Sequence, residues 1–202
     1  MPVTYKPGLD WKCSFSMVKC SASIVSEMTG ASQMELFEEH VDLIQIGSRN
    51  MHNFTLLRAA GQGRTPVLLK RGFGATIDEW LMAAEYVLSA GNANVILCER
   101  GIRTFEPSTR NTLDLAGMAV AQHESHLPVI VDPSHAVGVR HLVAPMARAA
   151  IAAGADAVMI DVHHDPEAAL CDGPQALTPL EMDELGRDLT TLAAALGRPM
   201  NR

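Results

Sequence analysis

Short apolar runs recur along the chain at intervals that alternate with helical patterns. Val41-Asp-Leu-Ile-Gln-Ile46, Pro66-Val-Leu-Leu69, Asn94-Val-Ile-Leu-Cys98, Leu127-Pro-Val-Ile-Val131 and Ala157-Val-Met-Ile160 are each four to six residues long. They are too short for helices, and their near-continuous apolarity suits parallel strands buried on both faces. With an earlier strand expected at Ala22–Met28, six strands are predicted, at about 23–28, 41–47, 66–70, 94–98, 127–132 and 157–162. Between them, apolar residues three and four apart predict helices over Ser32–His40, Ile77–Ser89 and Leu142–Ala153, with a last helix over Pro179–Leu196. Thr76 is placed to cap the second of these and Gly154 to close the third. Repeated strand–helix units predict an α/β fold with a parallel sheet and helices outside it. Residues 1–22 carry no clear period and are left unassigned, and 23–202 read as one domain.

Composition narrows the class. The chain has 202 residues, 48% hydrophobic and 19% charged, with a net charge of −7, so nothing favours a nucleic-acid partner. No apolar stretch reaches the roughly 20 residues needed to cross a bilayer, and the N-terminus lacks the build of a signal peptide. The four cysteines, at 13, 20, 98 and 171, are not tightly spaced, so a reducing cytoplasm is expected. The length falls at the lower limit, about 200 residues, for a (β/α)₈ barrel.

In parallel α/β folds chemistry collects beyond the C-terminal ends of the strands. Here those ends read Gly47-Ser-Arg-Asn50, Lys70-Arg-Gly72, Glu99-Arg-Gly101, Asp132-Pro-Ser-His135 and Asp161-Val-His-His164, followed by Cys171-Asp-Gly-Pro174. Arg49, Lys70 and Arg100 would converge as cations on a phosphorylated or carboxylated anion. His135, Asp161 and Asp172 offer one imidazole and two carboxylates, a set suited to a divalent metal such as Mn²⁺, Fe²⁺ or Zn²⁺. Each has a plainer use: a lone cation after a strand is ordinarily solvated, His135 could be structural, and aspartates commonly cap turns. Cations at three successive strand ends favour the functional use. His163 and His164 should point opposite ways on an extended chain, His123 and His126 read as surface residues, and Cys98 as a small core residue.

These strings resemble those of the 3-deoxy-D-arabino-heptulosonate 7-phosphate (DAHP) synthases, in the branch that includes the 3-deoxy-manno-octulosonate 8-phosphate synthases. The matching segments are Asp42–Met51, Val67–Gly72, Ile96–Glu106, Arg110–Asp114, Val131–Ala136 and Cys171–Gln175, within a resemblance covering about 23 to 182. Arg-Asn-Met and Arg-Thr-Phe-Glu favour the DAHP branch. The resemblance implies a TIM (β/α)₈-type barrel, here lacking the first two βα units. It implies condensation of phosphoenolpyruvate (PEP) with erythrose 4-phosphate, the first step of the shikimate pathway. Ser48 (through its backbone), Arg49, Lys70 and Arg100 would hold PEP, and His135 and Asp172 match metal ligands. Lys70 and His135 are thereby the expected catalytic pair. Asp161 stands where the family has Glu.

Two family segments find no match: a first strand ending in Gly-Pro-Cys, whose Cys is the fourth metal ligand, and a second ending in Lys-Pro-Arg-Thr-Ser. The spacing of Cys13 and Cys20 to any strand end argues against either replacing that ligand. An open barrel would expose strand edges at 23–28 and 157–162, covered by the N-terminal segment or a second copy, so a homo-oligomer is expected. A non-catalytic remnant that keeps a PEP site is the alternative to an enzyme.

Overall fold

The computed structural model describes residues 23–198. The segment 1–22, with Cys13 and Cys20, lies outside the described residues. Six strands, β1 (Val25–Glu27), β2 (Leu43–Ile46), β3 (Val67–Lys70), β4 (Val95–Glu99), β5 (Val129–Val131) and β6 (Ala157–Val158), form one sheet in sequential order. Every neighbouring pair is parallel. Among the described residues β1 pairs only with β2 and β6 only with β5, so the outer edges of the sheet are unpaired there.

Side-chain alternation divides each strand between two environments. Ile44, Ile46, Val67, Leu69, Val95, Leu97, Val129 and Val131 point outward into a buried layer shared with helices α2 (Phe54–Gln62), α3 (Ile77–Ser89) and α4 (Leu115–Glu124). Trp80 of α3 is fully buried there, and its Nε1 donates to Leu69 O at 3.2 Å. The opposite parity carries Gln45, Leu68, Lys70, Ile96, Cys98 and Ile130, with Lys70 in register with Cys98 and Cys98 with Ile130. Lys70 reaches across β4 to Asp132, just past β5, so this face is the concave one. Cys98 is fully buried, as its apolar neighbours suggested, and burial pushes its thiol up.

The expected helices over 32–40, 77–89, 142–153 and 179–196 are found as α1 (Met34–His40), α3, α6 (Arg140–Ala152) and α7 (Pro179–Ala195). Thr76 and Glu79 form a reciprocal capping box at the start of α3. Three further helices were not anticipated: α2, α4 and α5 (Pro133–Val137). In α4 small apolar residues occur on all sides, so no amphipathic period marks it. α5 is only five residues long.

Strand β6 is shorter than the expected 157–162. Met159 N still donates to Val131 O at 2.8 Å, but Asp132 and Pro133 then turn the chain into α5 and no strand remains to pair with. Beyond it, Asp161 N donates instead to Ser134 Oγ at 3.0 Å. A single parallel bridge follows between Val162 and Leu177.

Helices α6 and α7 pack through Val143, Ala147, Ile151, Leu185 and Leu189 in a second apolar cluster. Glu181 joins their ends: Oε2 accepts from Arg140 Nη2 at 2.6 Å and from Thr178 N at 2.7 Å. The Arg140 hydrogen bonds hold its carboxyl down to about 2. A depressed carboxyl contributes stability in full above its ordinary value, about 4.3, and loses it as pH falls towards the folded value. The thermal midpoint should therefore decline between about pH 4.5 and 2, and Glu181→Gln should flatten that decline in a pH series of melts.

Candidate active site

The C-terminal ends of the strands bring together the polar residues that alternation places on the concave face. Lys70 is buried, and its Nζ donates to Asp132 Oδ2 at 2.7 Å. Burial pulls the Lys70 ammonium down, but the Asp132 carboxylate outweighs it and the net direction is up. Asp132 is fully buried. Burial would raise its carboxyl, yet the His135 hydrogen bond and the Lys70 charge hold it at about 2. Both groups therefore stay charged.

Arg100 follows Cys98 by two residues and shares its face. It is almost fully buried, and its guanidinium stacks 4.6 Å from the Phe73 ring centroid. Its Nη1 has no hydrogen-bond partner among the described residues. Burial lowers the guanidinium's affinity for its proton, partly opposed by Asp132. A buried cation with an idle donor is costly unless an anion meets it. Ser48 and Arg49 lie in a 3₁₀ turn, Ser48–Asn50, directly after β2. Gly72 N donates to Met51 Sδ at 3.1 Å, which sets this turn against the loop after β3. Arg49 itself is exposed and has no ion-pair partner among the described residues. The fold thus brings Lys70 and Arg100 into one buried group and leaves Arg49 at the rim.

The other set also assembles. Asp132 Oδ1 caps α5 by accepting from His135 N at 2.9 Å, and Pro133 at the first helical position pre-sets the turn. His135 Nδ1 lies 3.0 Å from Asp132 Oδ2 and 3.4 Å from Asp161 Oδ2, while Nε2 lies 3.7 Å from Asp172 Oδ2. One ligand atom each from His135, Asp161 and Asp172 lies within 4.8 Å of the others. Ligands on a tetrahedral ion with bonds near 2.1 Å stand about 3.4 Å apart, so the cluster has the right scale for a divalent ion. Two carboxylates and one imidazole also match its charge. Burial raises the Asp161 carboxyl, and the neighbouring Asp132 and Asp172 charges add to this, though His135 opposes them; a cation would relieve that crowding. Asp161 reaches the cluster despite its short side chain.

Asp172 adopts a left-handed backbone conformation, φ 57°, at a tight turn. That conformation is uncommon for a side-chain-bearing residue and is best tolerated by Asn or Asp. Buried Gln175 secures both carboxylates, its Nε2 donating to Asp172 Oδ1 at 2.7 Å and to Asp161 Oδ2 at 3.1 Å. Arg110 Nη1 lies 3.6 Å from Asp172 Oδ1. His163 and His164 do not point opposite ways: their rings stack with centroids 4.5 Å apart. The extended-chain expectation fails because β6 has already ended and the backbone bends at His164. His123 and His126 are exposed, as expected.

Sequence reasoning missed Asp132, Gln175 and a charged brace on the opposite parity. Buried Arg71 donates through Nη1 to Glu99 Oε2 at 3.0 Å and to Asp114 Oδ2 at 2.8 Å, and through Nε to Ala75 O at 3.0 Å. Glu99 Oε1 also accepts from Gly101 N, at 2.6 Å. Gly101 has φ +89°, and a Cβ there would sit 2.9 Å from Ala136 Cα. The brace ties the loops after β3 and β4 to the start of α4. A signal for its core was available: Arg71 and Glu99 are each next to a concave-face cation, so alternation turns them towards one another.

The fold is α/β of the barrel type, with two buried cations beside a metal-competent cluster at the strands' C-terminal ends. Comparison with known proteins agrees on the fold. The model of the DAHP synthetase I family matches residues 7–196, and the chain belongs to that family. The match begins upstream of Ser23, where the motif resemblance starts. The chain is 51% identical over 178 residues to a phospho-2-dehydro-3-deoxyheptonate aldolase of Thermotoga maritima, covering 88% of this chain and 53% of that one. It is 34% identical over 182 residues to a 2-dehydro-3-deoxyphosphooctonate aldolase of Syntrophotalea carbinolica, covering 85% of this chain and 64% of the relative. Among solved structures, a truncated 3-deoxy-D-arabino-heptulosonate 7-phosphate synthase from Thermotoga maritima superposes with a TM-score of 0.86 at 51% identity, over 89% of this chain and 68% of that one. The chain thus spans about half the length of its Thermotoga relative. The six strands form a curled half-barrel that matches part of that fold.

Removing Arg71 would strand Glu99, which is fully buried. Loss of one partner from such a group costs about 3–5 kcal/mol. Arg71→Met should lower the urea midpoint accordingly, with an unchanged slope.

Proposed function

We propose that this chain performs a DAHP-synthase-type condensation of PEP with erythrose 4-phosphate. PEP carbon 3 bonds to the aldehyde carbon, water adds at PEP carbon 2, and inorganic phosphate leaves as that carbon becomes a ketone. The observation that carries the reading is the idle, buried Arg100 Nη1 on the same concave rim as the His135, Asp161 and Asp172 cluster. Family membership and 51% identity to the Thermotoga aldolase support it.

In this reading Ser48 (through its backbone), Arg49, Lys70 and Arg100 bind the phosphate and carboxylate of PEP. Lys70 and Arg100 offer charge that is already desolvated and fixed, so little reorganisation opposes its interaction with charge growing on the departing phosphate. Arg49, exposed at the rim, is free to close on the bound anion. His135, Asp161 and Asp172 would hold a divalent ion such as Mn²⁺, Fe²⁺ or Zn²⁺, which would supply Lewis-acid polarisation of the aldehyde. Gln175 keeps both carboxylates aimed at the cluster, and Asp132 orients the imidazole. The work is that of a cytoplasmic biosynthetic enzyme; no helix among the described residues is long and apolar enough to cross a membrane. The open edges of β1 and β6 favour a homo-oligomer. They equally favour a second reading, a non-catalytic subunit that keeps the PEP site.

Purified chain with Mn²⁺, PEP and erythrose 4-phosphate should consume PEP and release phosphate. Lys70→Ala should raise the KM for PEP by about tenfold or more, and His135→Ala should abolish Mn²⁺ binding. PEP binding without turnover under any divalent metal would leave the second reading in place.

A further inference from the structure

Asp132 belongs to neither ligand set, yet it touches both. Its side chain has no solvent exposure. Oδ2 takes the Lys70 ammonium at 2.7 Å and lies 3.0 Å from His135 Nδ1, and Oδ1 takes the His135 backbone N–H at 2.9 Å and lies 3.2 Å from the same Nδ1. A carboxylate at this contact only accepts, so Nδ1 carries the hydrogen. Nε2 is then the ring nitrogen left with a lone pair, and it is the one facing Asp172 Oδ2 at 3.7 Å. The same turn fixes a second ligand, since Ser134 Oγ accepts from Asp161 N. One buried carboxylate therefore sets the position of an anion-site cation and the tautomer of a metal-site imidazole.

We infer that Asp132 is a positioning residue shared by the two sites, so that neither forms fully without it. This rests on the proposed function, because it takes Lys70 to meet PEP and His135 to meet the metal. Asparagine would keep the shape of Asp132 and remains a good helix cap. It has one acceptor oxygen, however, and its amide would turn donors towards either the Lys70 ammonium or the His135 backbone N–H. At least one contact fails, and both cations, Lys70 and the bound metal, lose a compensating charge.

The test is titration calorimetry of the full chain with Mn²⁺ alone and with PEP alone. Asp132→Asn should weaken Mn²⁺ by about tenfold or more, and PEP by a similar factor, with the far-ultraviolet circular dichroism retained. Weakening of one ligand only, or of neither, overturns the inference. Lys70→Gln gives an independent reading should Asp132→Asn fail to fold. It leaves the Asp132 charge to His135, so Mn²⁺ affinity should rise about fivefold while PEP affinity falls. Unchanged Mn²⁺ affinity in Lys70→Gln means that the sites are separate and overturns the inference. A merely structural role for Asp132 would not tighten Mn²⁺ binding. If the unaltered chain binds neither Mn²⁺ nor PEP, the proposed function fails, and this inference with it.

Discussion

A single buried carboxylate, Asp132, sits where the concave face of the sheet meets its C-terminal edge, between a lysine from β3 and a histidine from α5. Charges this far from water persist only when paired. Lys70 and Asp132 are each tolerated because of the other, and their contact spans β4, so the curl of the sheet and the charge pair depend on one another. The same carboxylate caps α5, which presents His135 and Ser134. Loss of this contact would remove the common support of Lys70 and the metal-competent cluster.

Around that centre the molecule sorts charge by strand parity. Lys70 and Arg100 face inward, while their neighbours Arg71 and Glu99 face outward and pair behind them. Ion pairs with Asp132 and with Glu99 leave Arg100 as the buried cation with an idle donor. An anion bound there would complete a pattern that the protein otherwise satisfies internally.

Much of this was legible in the sequence because alternation and strand-end position are local properties. Five apolar runs and a weaker earlier segment predicted six parallel strands, and the cations and the imidazole–carboxylate set were visible as residues just after them. Less visible was whatever depends on contacts distant in sequence. Asp132 and Lys70 are 62 residues apart, and Gln175 reaches Asp161 across 14, so neither contact leaves a local period. The shortening of β6 and the stacking of His163 on His164 follow from where β5 ends, which no pattern within β6 itself records. Helix α4 escaped because small apolar residues occur on all its sides, and α5 because a cap, a proline and Gly138 define it better than any period does.

In the proposed reading, this chain's own residues build an anion site and a metal site side by side on one half-barrel. A crystal structure of the chain grown with Mn²⁺ and PEP tests that claim most directly. It should show one anomalous manganese peak within bonding distance of His135, Asp161 and Asp172, and the phosphate of PEP against Lys70 and Arg100. Manganese bound elsewhere, or PEP absent from Arg100 at saturating concentration, would contradict it.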